Sequence, residues 1–264
     1  IFPLLDGYFR LDGGAMFGIV PKVLWEKTNP PDARNRIVLA LGTLLVHADG
    51  KFVLIDTGIG NKGDENFCDT YGVDRRPSIE KSLARMNLTT NDIRVVINTH
   101  LHFDHAGGNT RRLQDGRIVP TFPNAEYYVQ REEWSFATKP NERTRRSYLA
   151  ENYEVLSQLG RVSFLDGAAD VLPGIRVVKT PGHTEHHQSV IVRSEGQAIC
   201  FLGDLIPTRS HLPLPYSMAY DVSPLQTLET KRSLLEQAYE EGWWLFFQHD
   251  PEVRIGRLEK VDGR

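Results

Sequence analysis

The sequence predicts an α/β chain of α+β character: two mixed β-sheets packed face to face with helices outside them, a four-layer αββα sandwich. Three observations carry that expectation. Short apolar, β-branched runs recur from residue 37 to residue 250, helical periodicities fall between them instead of in one block, and each half of the chain supplies strands together with covering helices. A chain of 264 residues can bury one large core, so a single domain over 1–264 is expected, with 1–36 an N-terminal strand and loop.

Near the start, "FRLDGGAMFGIVPKVLW" (9–25) interleaves glycines with Met16, Phe17, Ile19 and Trp25. That suits an apolar lip over a substrate pocket or a dimer contact, or an edge strand packed on the core. "IVLALGTLLVH" (37–47) and "KFVLIDT" (51–57) flank "ADG", a hairpin signal. "SIEKSLARMNL" (78–88) places Ile79, Leu83 and Met86 at helical spacing behind Ser78 as N-cap. "IRVVINT" (93–99) reads as a buried strand, and "HLHFDHAGGN" as a loop that turns into a helix near Asp104. "AEYYVQ" (125–130) is a strand, and 131–160 is helical with a break at Pro140. "RVSFL", "IRVVKTPGH", "HQSVIVRS" and "QAICFLGD" follow as closely spaced strands; 223–242 is a helix closed by Gly242, and "WWLFFQHD" (243–250) is a last strand. The stretches 58–77 and 205–222 read as the longest irregular loops, where function concentrates.

Composition excludes several classes. Hydrophobic residues make up 40% and charged residues 25%, and no apolar run reaches the length of a membrane span, so disorder and membrane insertion are poor readings. With a formal net charge of −3 there is no basic footprint for nucleic acid. Cys68 and Cys200 are too few and too far apart for a disulfide framework or a thiolate zinc knuckle, so a metal here must rest on histidine and carboxylate. The expected compartment is the cytoplasm; because the chain begins at Ile1, a periplasmic or secreted location through a removed leader stays open.

"NTHLHFDHAGGN" (98–109) sets three histidines and an aspartate into six positions directly after a buried strand. In an extended loop, residues two apart point the same way, so His100 and His102 present imidazoles to one point, while Asp104 and His105 begin a turn and face a second. Imidazole and carboxylate suit Zn²⁺, Fe or Mn²⁺, and a loop at the carboxyl end of a strand is where such sheets place their chemistry. A solvated loop that happens to be rich in histidine would not require four ligand-type residues at fixed offsets with two glycines behind them.

H-x-H-x-D-H resembles the signature of the metallo-β-lactamase superfamily. The rest of that family's pattern is found elsewhere in the chain: His183 in "KTPGHTEHHQS", Asp204 in "CFLGDLI" and His249 in "LFFQHD". The similarity spans roughly 37–250. By resemblance, the fold is the metallo-β-lactamase sandwich. His100, His102 and His183 hold one divalent metal, Asp104, His105 and His249 hold another, and Asp204 bridges the two. Zinc is the expected metal, with Fe, Mn or Co as alternatives. Asp56 in "LIDTG" sits below the site and hydrogen-bonds a ligand imidazole, fixing its tautomer. His187 braces the loop after the third histidine. Met16, Phe17, Phe103 and His211 are candidates for the substrate pocket, whereas His47 is read as structural.

Two such ions, about 3.5–4 Å apart, share a water and make hydroxide available at neutral pH while polarising the substrate oxygen. The resemblance therefore implies a dinuclear metallohydrolase working through a metal-bridging hydroxide, with Asp104 orienting it and carrying a proton. Its substrate is a small apolar ester: a lactone, an aryl ester or a phosphotriester. "THLHFDHAGGN" with "TPGHTxxHQS" looks like the acyl-homoserine lactonases and the methyl parathion hydrolase-type phosphotriesterases. Those lactonases carry tyrosine three residues after the bridging aspartate, where this chain has Pro207. The alternatives are a mononuclear iron sulfur dioxygenase and a non-catalytic binding protein that keeps metal for stability. Related enzymes are commonly dimers, so a homodimer is allowed; nucleic-acid and membrane partners are not expected.

Overall fold

Strand β1 (Phe2–Asp12) ends at Asp12, whose carboxylate accepts from the Ala15 amide at 2.8 Å and starts helix α1 (Gly13–Phe17). A second short helix, α2 (Lys22–Trp25), follows. The 9–25 segment is therefore a strand only to Asp12, because the Asp12 cap turns the chain and Gly13 lies so close to Trp25 that a Cβ would meet its ring at 2.4 Å. Met16 and Phe17 are buried, and Ile19, Val23 and Leu24 face solvent.

The computed structural model describes residues 1–260, which fall into two compact units. The first comprises Ile1–Arg10 and Leu39–Gly167; the second comprises Leu11–Val38 and the chain from Ala168 on.

The first unit contains β2 (Arg36–Ala48) from Leu39 on, β3 (Lys51–Ile55), β4 (Ile93–Ile97), the small pair β5 (Thr110–Arg112) and β6 (Ile118–Pro120), then β7 (Glu126–Gln130) and β8 (Val162–Leu165). Six strands form one sheet in the order β1-β2-β3-β4-β7-β8. The β2–β3 hairpin turns through Asp49 and Gly50, both at positive φ, as the "ADG" signal predicts. From β3 to β8 neighbouring strands are parallel, so the loops leaving β3 and β4 emerge at one edge. Helix α3 (Glu65–Tyr71) lies inside the stretch expected to be irregular, started by Asp64, which caps the Phe67 amide. Helix α4 (Ile79–Ala84) is capped by Ser78 as expected and buries Ile79 and Leu83 with Leu54, Ile93 and Val96. Helices α5 (Phe103–Ala106), α6 (Arg131–Ala137) and α7 (Glu154–Gln158) complete the unit.

The expected helix over 131–160 is interrupted over much more than one residue. α6 stops before Pro140, which lacks an amide hydrogen and disfavours helix at Lys139. The Asn141 side chain then accepts from the Arg143 and Thr144 amides, a local turn that competes with helix until Ala150.

The second unit holds β9 (Ala169–Leu172), β10 (Ile175–Lys179), β11 (Gln188–Ser194), β12 (Gln197–Phe201), β13 (Trp244–Phe246) and β14 (Ile255–Arg257) in one mixed sheet of that order. Only β12 and β13 are parallel, with α8 (Pro224–Glu240) running between them and ending before Gly242 at φ +66°. Leu234 and Ala238 of α8 pack on Cys200, Leu202 and Leu245. Strands β9 and β14, and the β5–β6 pair, go beyond the sequence expectation. Both cysteines are free, and among the described residues no helix is long and apolar enough to cross a membrane.

Candidate metal centre

In the first unit the loop after β4 carries His100, His102, Asp104 and His105, all buried. The loop after β3 holds them. Asp56, at φ +55°, accepts the Thr99 amide and hydroxyl at 2.7 Å each, and its Oδ2 lies 2.9 Å from His105 Nδ1. That oxygen fixes the His105 tautomer: Nδ1–H donates to Asp56, leaving the Nε2 lone pair directed at Asp104 Oδ2, 3.6 Å away. Thr99 repeats the device one step on. Its hydroxyl hydrogen is spent on Asp56, so Thr99 Oγ1 accepts from His100 Nδ1 at 3.0 Å, and His100 Nε2 faces His102 Nδ1 at 3.0 Å.

Two further restraints hold this loop. Buried Glu133 accepts from the Leu101 amide at 3.1 Å and the Tyr148 hydroxyl at 2.9 Å, and the Tyr148 ring packs edge-on against His102. Behind these side chains, a Cβ on Gly107 would stand 2.3 Å from the Ile59 carbonyl and one on Gly108 2.0 Å from that of Thr57, so "HAGGN" admits only glycine at both places.

In the second unit, His183 follows β10, Asp204 follows β12 and His249 follows β13, again all buried. His183 Nδ1 donates to Asp221 Oδ1 at 3.0 Å, and its Nε2 faces Asp204 Oδ2 at 3.2 Å. The other Asp204 oxygen, Oδ1, faces His249 Nε2 at 3.1 Å. One carboxylate thus presents an oxygen to each of two imidazoles, the disposition of a bridging ligand. His187 braces it: its Nε2 accepts the Asp204 amide at 3.1 Å while Nδ1 meets Thr180 Oγ1 at 2.8 Å. The His249 amide donates to the Pro207 carbonyl at 2.9 Å, which ties the last histidine to the loop after Asp204.

Several of these nitrogens have already given their proton away from the carboxylates they face. A lone pair opposite a carboxylate oxygen is repulsive unless a cation lies between them. Buried imidazoles and carboxylates in this arrangement fit a borderline divalent metal such as zinc. Each of the seven residues belongs to a buried His/Asp group able to hold a metal ion.

The remaining candidates are placed differently. Phe103 packs against Phe67 and Tyr71, with ring centroids 5.4 and 4.9 Å away. His211 stacks on Phe17 at 4.5 Å; its Nε2 donates to the Met16 carbonyl at 2.9 Å and its Nδ1 meets Thr208 Oγ1 at 2.7 Å. Both ring nitrogens are engaged within the fold, and burial lowers its pKa to about 4, so His211 is a neutral strut under the 13–25 segment. His47 is exposed on β2 beside Phe52. Sequence reasoning missed Asp221 and Glu133, single carboxylates with no motif spacing. The need of a candidate ligand imidazole for a partner on its other nitrogen could have prompted a search for Asp221, whereas Glu133, which accepts from the Leu101 amide and the Tyr148 hydroxyl, left no such signal.

Residues 42–249 match the model of the metallo-β-lactamase superfamily. An N-acyl homoserine lactonase of Bacillus sp is 30% identical over 77% of this chain and 78% of its own length. A solved structure described as a probable metal-dependent hydrolase from Staphylococcus aureus superposes with a TM-score of 0.93 at 33% identity, covering 100% of this chain and 93% of its own. The dizinc quorum-quenching lactonase AidC, at 21% identity, shares the fold with a TM-score of 0.81 over 99% of this chain and 90% of its own. On the family match, which spans most of its length, this chain belongs to the metallo-β-lactamase superfamily.

Proposed function

We propose that the protein is a dinuclear metal-dependent hydrolase that opens lactones, with both units serving one catalytic domain over 1–264. In this reading His100, His102 and His183 hold one ion, Asp104, His105 and His249 the other, and Asp204 bridges them. Zinc is the metal proposed; the donor set also accepts Fe, Mn or Co. The observation that carries the reading is the orientation of the imidazoles: His105 and His183 each give Nδ1–H to a buried aspartate and turn Nε2 toward the carboxylate of another proposed ligand. Relatives named N-acyl homoserine lactonase support the substrate class.

When bound, the ions would supply Lewis acidity and lower the pKa of water toward neutrality. The chain does the rest. Asp56, Thr99 and Asp221 hold the ligand tautomers, and His187 holds the Asp204 backbone. Asp104 accepts the proton of the attacking water on a carboxylate oxygen and returns it to the alkoxide released by ring opening.

Aryl esters and phosphotriesters form the second reading, favoured by Pro207: no phenol stands three residues after Asp204 to polarise a lactone carbonyl. The test is a panel of metal-reconstituted protein against an acyl-homoserine lactone series, an aryl acetate, a phosphotriester and a β-lactam, compared by kcat/KM. The lactones are expected to lead. Protein that takes up no stoichiometric metal, or hydrolysis unchanged in His102→Ala and Asp204→Ala, contradicts the reading.

A further inference from the structure

Lys62, in the loop that leaves β3, is only 9% exposed and holds its ammonium inside the first unit. Its Nζ donates to the Gly107 carbonyl and, at 2.7 Å, to the Thr110 carbonyl. Both acceptors are neutral. Burial lowers the ammonium pKa to about 7, with the charges of Arg112 and Arg75 adding to the effect and those of Glu151 and Asp6 opposing it. A desolvated charge with neutral partners costs the fold stability that a methionine of similar length would not. What the charge supplies is two directed bonds.

Those bonds fall on one short piece of backbone. Helix α5 runs on into a 3₁₀ turn, Gly107–Asn109, so Asp104 and His105 lie in the first turn of a helical run whose last carbonyls form the negative end of its dipole. A cation is favourable at that end. The loop that carries Lys62 grips the same run through neutral bonds as well. The Thr57 amide donates to the His105 carbonyl at 2.8 Å, the Thr57 hydroxyl to Asn109 Oδ1 at 2.9 Å, and the Gly108 amide to the Gly58 carbonyl at 3.1 Å. Gly60 lies so close that a Cβ there would stand 2.3 Å from the Gly107 carbonyl oxygen. Asp56 therefore fixes the His105 ring at one end of the loop, and Lys62 fixes the backbone behind that ring at the other.

We propose that Lys62 is a positioning residue of the candidate metal centre. By holding the Gly107 and Thr110 carbonyls, its ammonium sets where the run that begins with Asp104 and His105 stands, so that both ligand atoms meet one ion. This rests on the proposed dinuclear reading. The consequence is selective: the ion proposed for Asp104 and His105 depends on Lys62, whereas the ion proposed for His100, His102 and His183 does not.

The test compares the two ions in one sample. Zinc affinities are read by competition with a chromogenic chelator, and the stability of the metal-free protein by urea unfolding. Lys62→Met should weaken one ion about 10–100-fold and leave the other within about twofold, with the urea midpoint at or above that of the wild type. In wild-type protein, the Lys62 side-chain ammonium resonance should shift together with the His105 ring resonances as zinc is added, a readout that needs no variant. Two unchanged affinities in folded Lys62→Met, both affinities lowered alike with a lower urea midpoint, or an ammonium resonance unmoved through two equivalents of zinc overturns the inference. Wild-type protein that takes up no second ion refutes instead the dinuclear reading beneath it, so the two failures are distinguishable.

Discussion

Replacing Asp56 with asparagine should damage both the fold and the metal centre, by amounts the contacts allow to be worked out. Asparagine tolerates the positive φ of +55° found there, so the backbone does not confound the change. The carboxylate accepts from three donors: the Thr99 amide, the Thr99 hydroxyl and His105 Nδ1–H. One orientation of the amide sets its NH₂ against the Thr99 amide, the other against both the Thr99 hydroxyl and His105 Nδ1–H, so at least one donor is opposed. Orders of about 1.5–3 kcal/mol for each charge-assisted bond, with one lost and one opposed by a donor, give a loss near 3–5 kcal/mol, in line with breaking a buried pair. With the Asp56 acceptor weakened, His105 can move its proton to Nε2, the atom proposed for the metal, and affinity should fall about 10–100-fold. Urea unfolding of the metal-free protein measures the first effect, and competition with a chromogenic chelator measures the second. Stability within about 1 kcal/mol of wild type together with an unchanged chelator titration would refute the assigned role of Asp56.

Asp221→Asn tests the corresponding device in the second unit: His183 loses its orienting acceptor, and the cobalt-loaded protein should show an altered d–d spectrum with metal affinity reduced about 10–100-fold. An unchanged spectrum in a folded variant would count against it. A pH dependence follows from His211. Burial lowers its pKa from 6.5 to about 4, so between those values the unfolded chain binds a proton that the folded chain refuses. Stability should therefore fall as pH drops from 6.5 to 4, by up to about 3 kcal/mol from this residue. His211→Gln should flatten that loss in metal-free protein; identical pH slopes for variant and wild type would remove His211 as its source.

The candidate metal motif was legible in the sequence because ligand chemistry demands particular residue types at particular offsets. His100, His102, Asp104 and His105 follow one strand, while His183, Asp204 and His249 each end another. The hairpin at Asp49–Gly50 and the Ser78 cap were legible for the same local reason: a turn and a helix start that few residue types can make. Asp221 and Glu133 were not, since a carboxylate that holds an imidazole or a loop amide from a distant element leaves no spacing to find. Nor were α1 and α2 expected where glycines and apolar residues alternated. There, the Asp12 cap and the closeness of Gly13 to Trp25 override the strand-like pattern.

The central claim, a dinuclear hydrolase, is tested most directly by metal stoichiometry measured on the same sample as lactone turnover. Protein reconstituted with zinc and freed of excess should hold two ions per chain and open an acyl-homoserine lactone, losing both the second ion and the activity in Asp204→Ala. A single iron per chain, with oxygen consumed on a persulfide and no lactone opened, would contradict the account.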